Sequence, residues 1–318
     1  MFEKRSAGGR RGGYGAGMAS KSKRNKSSRR SGATGSRNPQ VRAGELTKME
    51  RLLKVMEEVV TAAQDAVCDM PGPAGLPTVF DVQILMRGLN SVKSVCLLLE
   101  QDHWEHALGV TRQLFELLVN MEYMTTLPDR EKGIDEYRQF GLLQFFQMKQ
   151  REIAYEEKTG RAPDPVVKSM VEHHLANSFS SFRGKPKQNG EVSWVPSWSR
   201  KNIKALAEAS PDAMRSDQYE QLFKIWSEQA HAAPGALLMG LVNGEGEDWL
   251  NDVLVADERE MIQTCSLTFM LFVSLWASLP AVPDIPRDVV RWSRTVMQVV
   301  GAPEFDLLPG YRVEESAS

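Results

Sequence analysis

Three cysteines in 318 residues, none close to another, are too few and too scattered for a disulfide framework. Cys68, Cys96 and Cys265 each sit in an apolar run, which predicts buried thiols in a reducing compartment, here the cytoplasm. Strand-like alternation of any useful length is missing as well, which argues against a sheet-based fold. There is no phosphate loop, no Cys-x-x-Cys pair, no calcium loop and no Gly-x-Ser-x-Gly elbow. The sequence therefore predicts no cofactor and no metal. The amino-terminal segment is basic but has no apolar stretch behind its charges, so it does not read as a secretory signal.

Charge is absent from one long run. No Asp, Glu, Lys or Arg occurs between Glu260 and Asp284, and the stretch includes "CSLTFMLFVSLWASL". Gln263, Thr264, Ser266, Thr268, Ser274 and Ser278 interrupt it, Pro280 ends it, and no Lys/Arg cluster flanks it to set an orientation. The 261–280 segment thus reads as a central buried helix, with membrane association as the lesser alternative.

What is abundant is segregated. Residues 1–43 hold twelve of the 39 Lys/Arg and one of the 41 Asp/Glu, a net of +11, so the remainder carries −13. Gly, Ser, Arg and Lys dominate these 43 residues, and little in them can be buried. They read as a disordered basic arm, in which Arg10, Arg11, Lys21, Lys23, Arg24, Lys26, Arg29 and Arg30 are candidate nucleic-acid contacts. "GGRRGGYGAG" (8–17) has the composition of arginine-glycine segments that coat nucleic acid, and a start at Met18 would remove it.

From Glu45 the pattern turns helical. Leu46, Met49, Leu53, Met56, Val60, Ala63 and Val67 mark one face of a first helix. Thr78 is placed to cap a second, through about 100, with Phe80, Ile84, Leu85, Leu89, Val92 and Cys96 inward. Asp102 and Glu105 form a cap signature for a third, to about 126. Further helices are expected over about 130–157, from Asp164-Pro165 to about 182, at 200–208, 216–232, 257–279 and 286–300, with an irregular stretch at 184–198. The fold class is all-α: a multi-helix bundle over 44–300 behind the arm, with a frayed tail at 301–318.

The third helix carries an oddity. Trp104, Leu108, Leu114, Phe115, Leu118 and Met121 cover its buried arc, while Glu105, Arg112, Glu116 and Tyr123 fall together on one border. Such border charges either pair structurally or edge a site. "HWEHALGVTRQLFELLVNMEYM" (103–124) resembles the core helix of an uncharacterised bacterial family, the domain of unknown function numbered five-six-seven-seven. "WSRKNIKALAE" (198–208) and "YEQLFKIWSEQAH" (219–231) resemble two further segments of it. The resemblance covers roughly 79–278 and implies Arg112, Glu116, Trp198, Tyr219, Ser227 and His231 as positions to watch. Phe223 stands where the family often repeats a Tyr. The family also looks similar to helical toxin-and-nuclease domains of defence systems, but their Arg-to-His spacing does not occur here.

Ser227 and His231, four apart, share a helix edge; His231 reads either as a C-terminal cap before Pro234 or as part of a polar site with Arg112 and Glu116. His103 and His106 lie one turn apart but lack a zinc-binding arrangement. Trp194 and Trp198, beside Lys185, Lys187, Arg200 and Lys201, either stack on bases or fold onto the bundle. Two functions follow as expectations. One is a nucleic-acid-tethered helical interaction protein of a bacterial defence or stress system, whose bundle meets a second copy or another protein. The other is an RNase-like effector with Arg112, Glu116, Ser227 and His231 as its catalytic cluster.

Overall fold

In the computed structural model, residues 46–72, 75–186, 192–220 and 249–301 are described. Helix α1, Lys48–Cys68, starts on a capping box: the Thr47 hydroxyl accepts from the Glu50 amide at 3.2 Å, and the Glu50 carboxylate accepts from the Thr47 amide at 2.7 Å. Its buried stripe is Leu52, Val55, Met56, Val59 and Ala63, a step to one side of the line through Leu46, Leu53 and Val60 that spacing suggested. Helix α2, Leu76–Glu100, begins before Thr78. Gly75 stands at the cap and Pro77 lies in the first turn, so Thr78 is already helical and caps nothing.

Asp102 does not cap α3 (Trp104–Thr125); His103 occupies that position without a side-chain bond. Asp102 instead takes a left-handed φ of 59° and ends α2. The His103 amide donates to Leu98 O at 2.8 Å and the Asp102 amide to Leu99 O at 3.2 Å, the paired bonds of a Schellman turn. Aspartate tolerates that backbone better than most residues, which is why a residue that suits a cap serves here as a stop.

Helix α4, Arg130–Lys158, is capped by Asp129, and α5, Pro165–Asn177, by Asp164. Helix α5 stops short of the expected 182, because the Arg183 guanidinium donates to Leu175 O and Ala176 O at 2.9 and 2.8 Å and closes its end. The stretch expected to be irregular contains an antiparallel hairpin, β1 (Arg183–Pro186) with β2 (Val192–Trp194). Helices α6 (Ile203–Glu208) and α7 (Met214–Gln218) follow, and then α8 (Trp249–Ala277) and α9 (Asp288–Val300). Gly301, at φ 71°, terminates α9. Most of the helix expected over 216–232 lies outside the described residues.

The core is built on α2, α3 and α8, with α1 and α9 packed beside them. Leu85, Leu89, Val92, Leu108, Leu114, Phe115, Phe269, Phe272 and Trp276 are almost wholly enclosed. Both α2 and α8 are long and apolar enough to cross a membrane, but in 257–277 two-thirds of the window (67%) is buried in the protein itself. A Cβ on Gly88 would lie 2.6 Å from a Leu275 methyl, so this glycine sets how closely α2 and α8 approach. Inside the α3–α8 contact, the Thr111 and Thr268 hydroxyls bond at 2.8 Å. At the bundle's edge Asp81, fully buried, accepts from Arg130 of α4 and from the Ala281 amide at 3.0 Å, joining α2, α4 and the loop after α8. A second, smaller core of Leu143, Ile153, Val171, Leu175, Phe179 and Phe182 holds α4, α5 and the hairpin together.

Cys265 is buried as expected and Cys96 is partly buried; Cys68, at the end of α1, is exposed. Burial pushes the Cys96 thiol up to about 12, with Glu100 and Glu57 adding to it, and pushes Cys265 up as well. In the folded protein a thiol reagent is expected to modify Cys68 alone, and the other two only after denaturation; mass spectrometry of the alkylated chain reads this directly. Fast native labelling at Cys96 would show the α2 face to be open.

Candidate functional site

Helix α3 sets out the polar line that the sequence marked. Arg112 Nε and Glu116 Oε1 lie 3.3 Å apart, one turn along the same edge, with side chains 23% and 37% exposed. They form an ion pair at the border of the core, and Arg112 has a further interaction beyond it. Burial raises the Glu116 carboxyl above its ordinary value, outweighing the Arg112 charge and hydrogen bond that pull it down. Above the ordinary glutamate value of 4.5, the folded state therefore binds more protons than the unfolded one. Stability falls as pH rises through that window and stays lower beyond it. Glu116→Gln is accordingly expected to melt at or above wild type at pH 7 and level with it at pH 4. A variant clearly less stable at pH 7 would make the ion pair net stabilising.

One turn further, the line changes character. The Asn120 amide donates to Glu116 O at 2.7 Å, and its Oδ1 accepts from Trp198 Nε1 at 2.6 Å. Trp198 is buried, its ring 5.8 Å from Tyr123 and 5.6 Å from Tyr137, and the Lys201 ammonium sits 5.6 Å from the centre of the Tyr123 ring. This overturns the base-stacking reading for Trp198, which is a core residue that pins the loop before α6 to α3. Trp194 is covered in turn by Arg183 at 5.2 Å, and Arg200 donates to Ser181 O at 2.9 Å. Arg183, Arg200 and Lys201 are thus engaged within the fold.

The most enclosed charges were not singled out from the sequence. Glu122 of α3 is 6% exposed and Arg215 of α7 is 4% exposed. Arg215 Nε donates to both Glu122 oxygens at 3.0 and 3.1 Å, and Nη2 to Oε1 at 2.8 Å, a two-pronged pairing. Gln218 accepts from Nη1 at 2.8 Å, Asp212 lies 3.2 Å from Nη2, and the Ser210 hydroxyl donates to Glu122 at 2.8 Å. The signal was present: Glu122 is seven residues after Phe115 and four after Leu118, on the buried arc of α3. This cluster locks α7, and with it the start of the Tyr219 segment, onto α3.

The structure brings Arg112 and Glu116 together and places Trp198 in the core, bonded to Asn120 one turn after Glu116. Tyr219 packs at the core's margin. Ser227 and His231 lie outside the described residues, as do Arg10, Arg11, Lys21, Lys23, Arg24, Lys26, Arg29 and Arg30. His103 and His106 are exposed, with ring centres 6.1 Å apart. Among the described residues no group of three or more His, Cys, Asp or Glu side chains is arranged to hold a metal. Chemically, the described part of the line offers a partly exposed ion pair whose carboxyl is raised by burial above its ordinary value.

Residues 82–248 match the model of a family of unknown function, DUF5677. The match takes in α3, the Trp198 loop, the Glu122–Arg215 cluster and the Tyr219–His231 segment. No curated protein and no solved structure matches the chain.

Proposed function

The chain belongs to this family of unknown function, and on that footing we propose that it is a nucleic-acid-tethered helical interaction protein, working in the cytoplasm in a bacterial defence or stress system. One observation carries the reading: residues 1–43 have a net charge of +11 and the rest −13. A polyanion is repelled by the body and drawn to the arm, so attachment is electrostatic, blind to sequence and sensitive to salt. The bundle's own charges support a scaffold role. Arg215 is enclosed by acceptors, Arg112 is paired, and Arg183 and Arg200 close backbone ends. Helix α8 is used by the core, which favours this reading over membrane association through 261–280.

A second reading rests on the partly exposed Arg112–Glu116 pair and the raised Glu116 carboxyl. In it the protein is an RNase-like effector: Arg112 steadies a phosphate, and His231, with Ser227 four residues before it in the sequence, supplies acid–base chemistry. Labelled total RNA incubated with the full chain, with His231→Ala and with a version lacking residues 1–43 separates the two. The tether reading expects a mobility shift without cleavage, lost with the arm. Cleavage that survives loss of the arm and disappears in His231→Ala would replace it with the enzyme.

A further inference from the structure

We propose that the exposed face shared by α1 and α9 is a second phosphate-contacting surface, which holds the backbone of a nucleic-acid strand already caught by residues 1–43. The inference rests on the tether reading and adds a site on the body to it. The two helices run antiparallel: Arg51 Nη2 donates to Gln298 Oε1 at 3.4 Å, and Arg291 Nη1 lies 2.7 Å from Glu58 Oε2. Their outer sides carry Lys48, Arg51 and Lys54 on α1, and Arg287, Arg291 and Arg294 at the start of α9 and along it. Arg291 is answered by two carboxylates, Glu58 and Asp288, and Arg51 by Gln298. Among the described residues Lys48, Lys54, Arg287 and Arg294 make no side-chain hydrogen bond or ion pair, and all four are exposed.

The other acids of α1 turn elsewhere. The Glu50 carboxylate is taken up by the Thr47 amide in the cap of α1, and Glu57 acts on Cys96, on the α2 side. Burial would raise the Glu58 carboxyl, but Trp292, Arg291 and Lys54 hold it below its ordinary value, which places Lys54 on the α9 side. Six basic side chains thus share this face with two carboxylates, on a body whose net charge is −13. The helices gain little from them. Lys48 and Arg287 stand at helix N-termini, where the helix dipole disfavours a positive charge. Charge complementarity selects a polyanion, and the place of the face in the chain selects the one on the arm. Arg42 is six residues before Lys48, so a strand held by the arm meets the face at high effective concentration. Trp292 of α9 is buried, so the face offers charge rather than stacking, and its contacts are to phosphate. On an acidic body these few contacts do not hold a strand once the arm is gone.

Binding of a labelled single-stranded oligonucleotide by the full chain tests it, beside Lys54→Ala/Arg294→Ala. A control, Lys132→Ala/Lys158→Ala, removes the same charge from exposed positions at the two ends of α4. Lys54 and Arg294 are exposed, so thermal melts of the variant should match wild type. The variant is expected to bind about tenfold more weakly at roughly 0.1 M salt, with a salt slope shallower by roughly 1.4, and the control to bind as wild type does. Unchanged affinity in Lys54→Ala/Arg294→Ala would overturn the proposal. So would equal weakening by the control, which would make the effect one of net charge. The tether itself survives either result if loss of residues 1–43 still abolishes binding, whereas a full chain that does not bind removes both. Weaker attachment of the variant to vesicles of anionic phospholipid, with nucleic-acid affinity unchanged, would assign the face to a lipid surface and equally overturn the proposal.

Discussion

Arg215→Ala is expected to destabilise the bundle by about 3–5 kcal/mol, the usual cost of leaving one member of a buried ion pair alone. In a body of this size that lowers the melting midpoint by about 10 °C. The reason is the asymmetry of the pair. Arg215 has acceptors at Glu122, Gln218 and Asp212, whereas the Glu122 carboxylate is held by Arg215 and the Ser210 hydroxyl. Removing the guanidinium strands a carboxylate that is 6% exposed, and also releases α7 from α3. Replacing both members, Glu122→Leu with Arg215→Met, is expected to recover most of the loss, since apolar isosteres need no partner. Denaturant titration of the two singles and the double measures the coupling. Singles costing under 1 kcal/mol would mean that water reaches the pair.

Asp81→Ala is expected to cost as much, about 3–5 kcal/mol, by a different route. Asp81 is 0% exposed and holds two elements that are not its own. Its loss leaves the Arg130 guanidinium, whose Nε already lacks a partner, and the Ala281 amide both unsatisfied near the core. Asp81→Asn keeps an acceptor for Ala281 and loses only the charge toward Arg130, so it is expected to fall between wild type and alanine. Chemical denaturation fixes the order. Equal effects of Asn and Ala would show that the Arg130 charge, rather than hydrogen bonding, dominates the node.

Glu122 and Asp81 also mark the limit of what the sequence shows. Periodicity found α1 through α5 and the central α8, because apolar residues at three and four are what a core needs from a helix. Local chemistry was less decisive. Asp164 caps as its position suggests, but Asp102 fits a cap and ends a helix instead, since only the tertiary path decides which side of the turn is helical. The short hairpin escaped notice because strands of four and three residues leave no alternation to read. Arg112 and Glu116 were legible, being four apart on one edge. Glu122's partner is 93 residues away and Asp81's partners are 49 and 200 away, and no local pattern joins them. A charge on a buried arc was visible in both helices; the residue that answers it was not.

The most direct test of the tether is the salt dependence of binding to single-stranded nucleic acid, for the full chain and for the chain without residues 1–43. Engagement of Arg10, Arg11, Lys21, Lys23, Arg24, Lys26, Arg29 and Arg30 gives an expected slope of log affinity against log salt of roughly −6. The shortened protein, carrying the body's acidic charge alone, is expected to show no measurable binding at any salt. Equal affinity and equal slope with and without the arm would contradict the account and move the nucleic-acid site into the helical body.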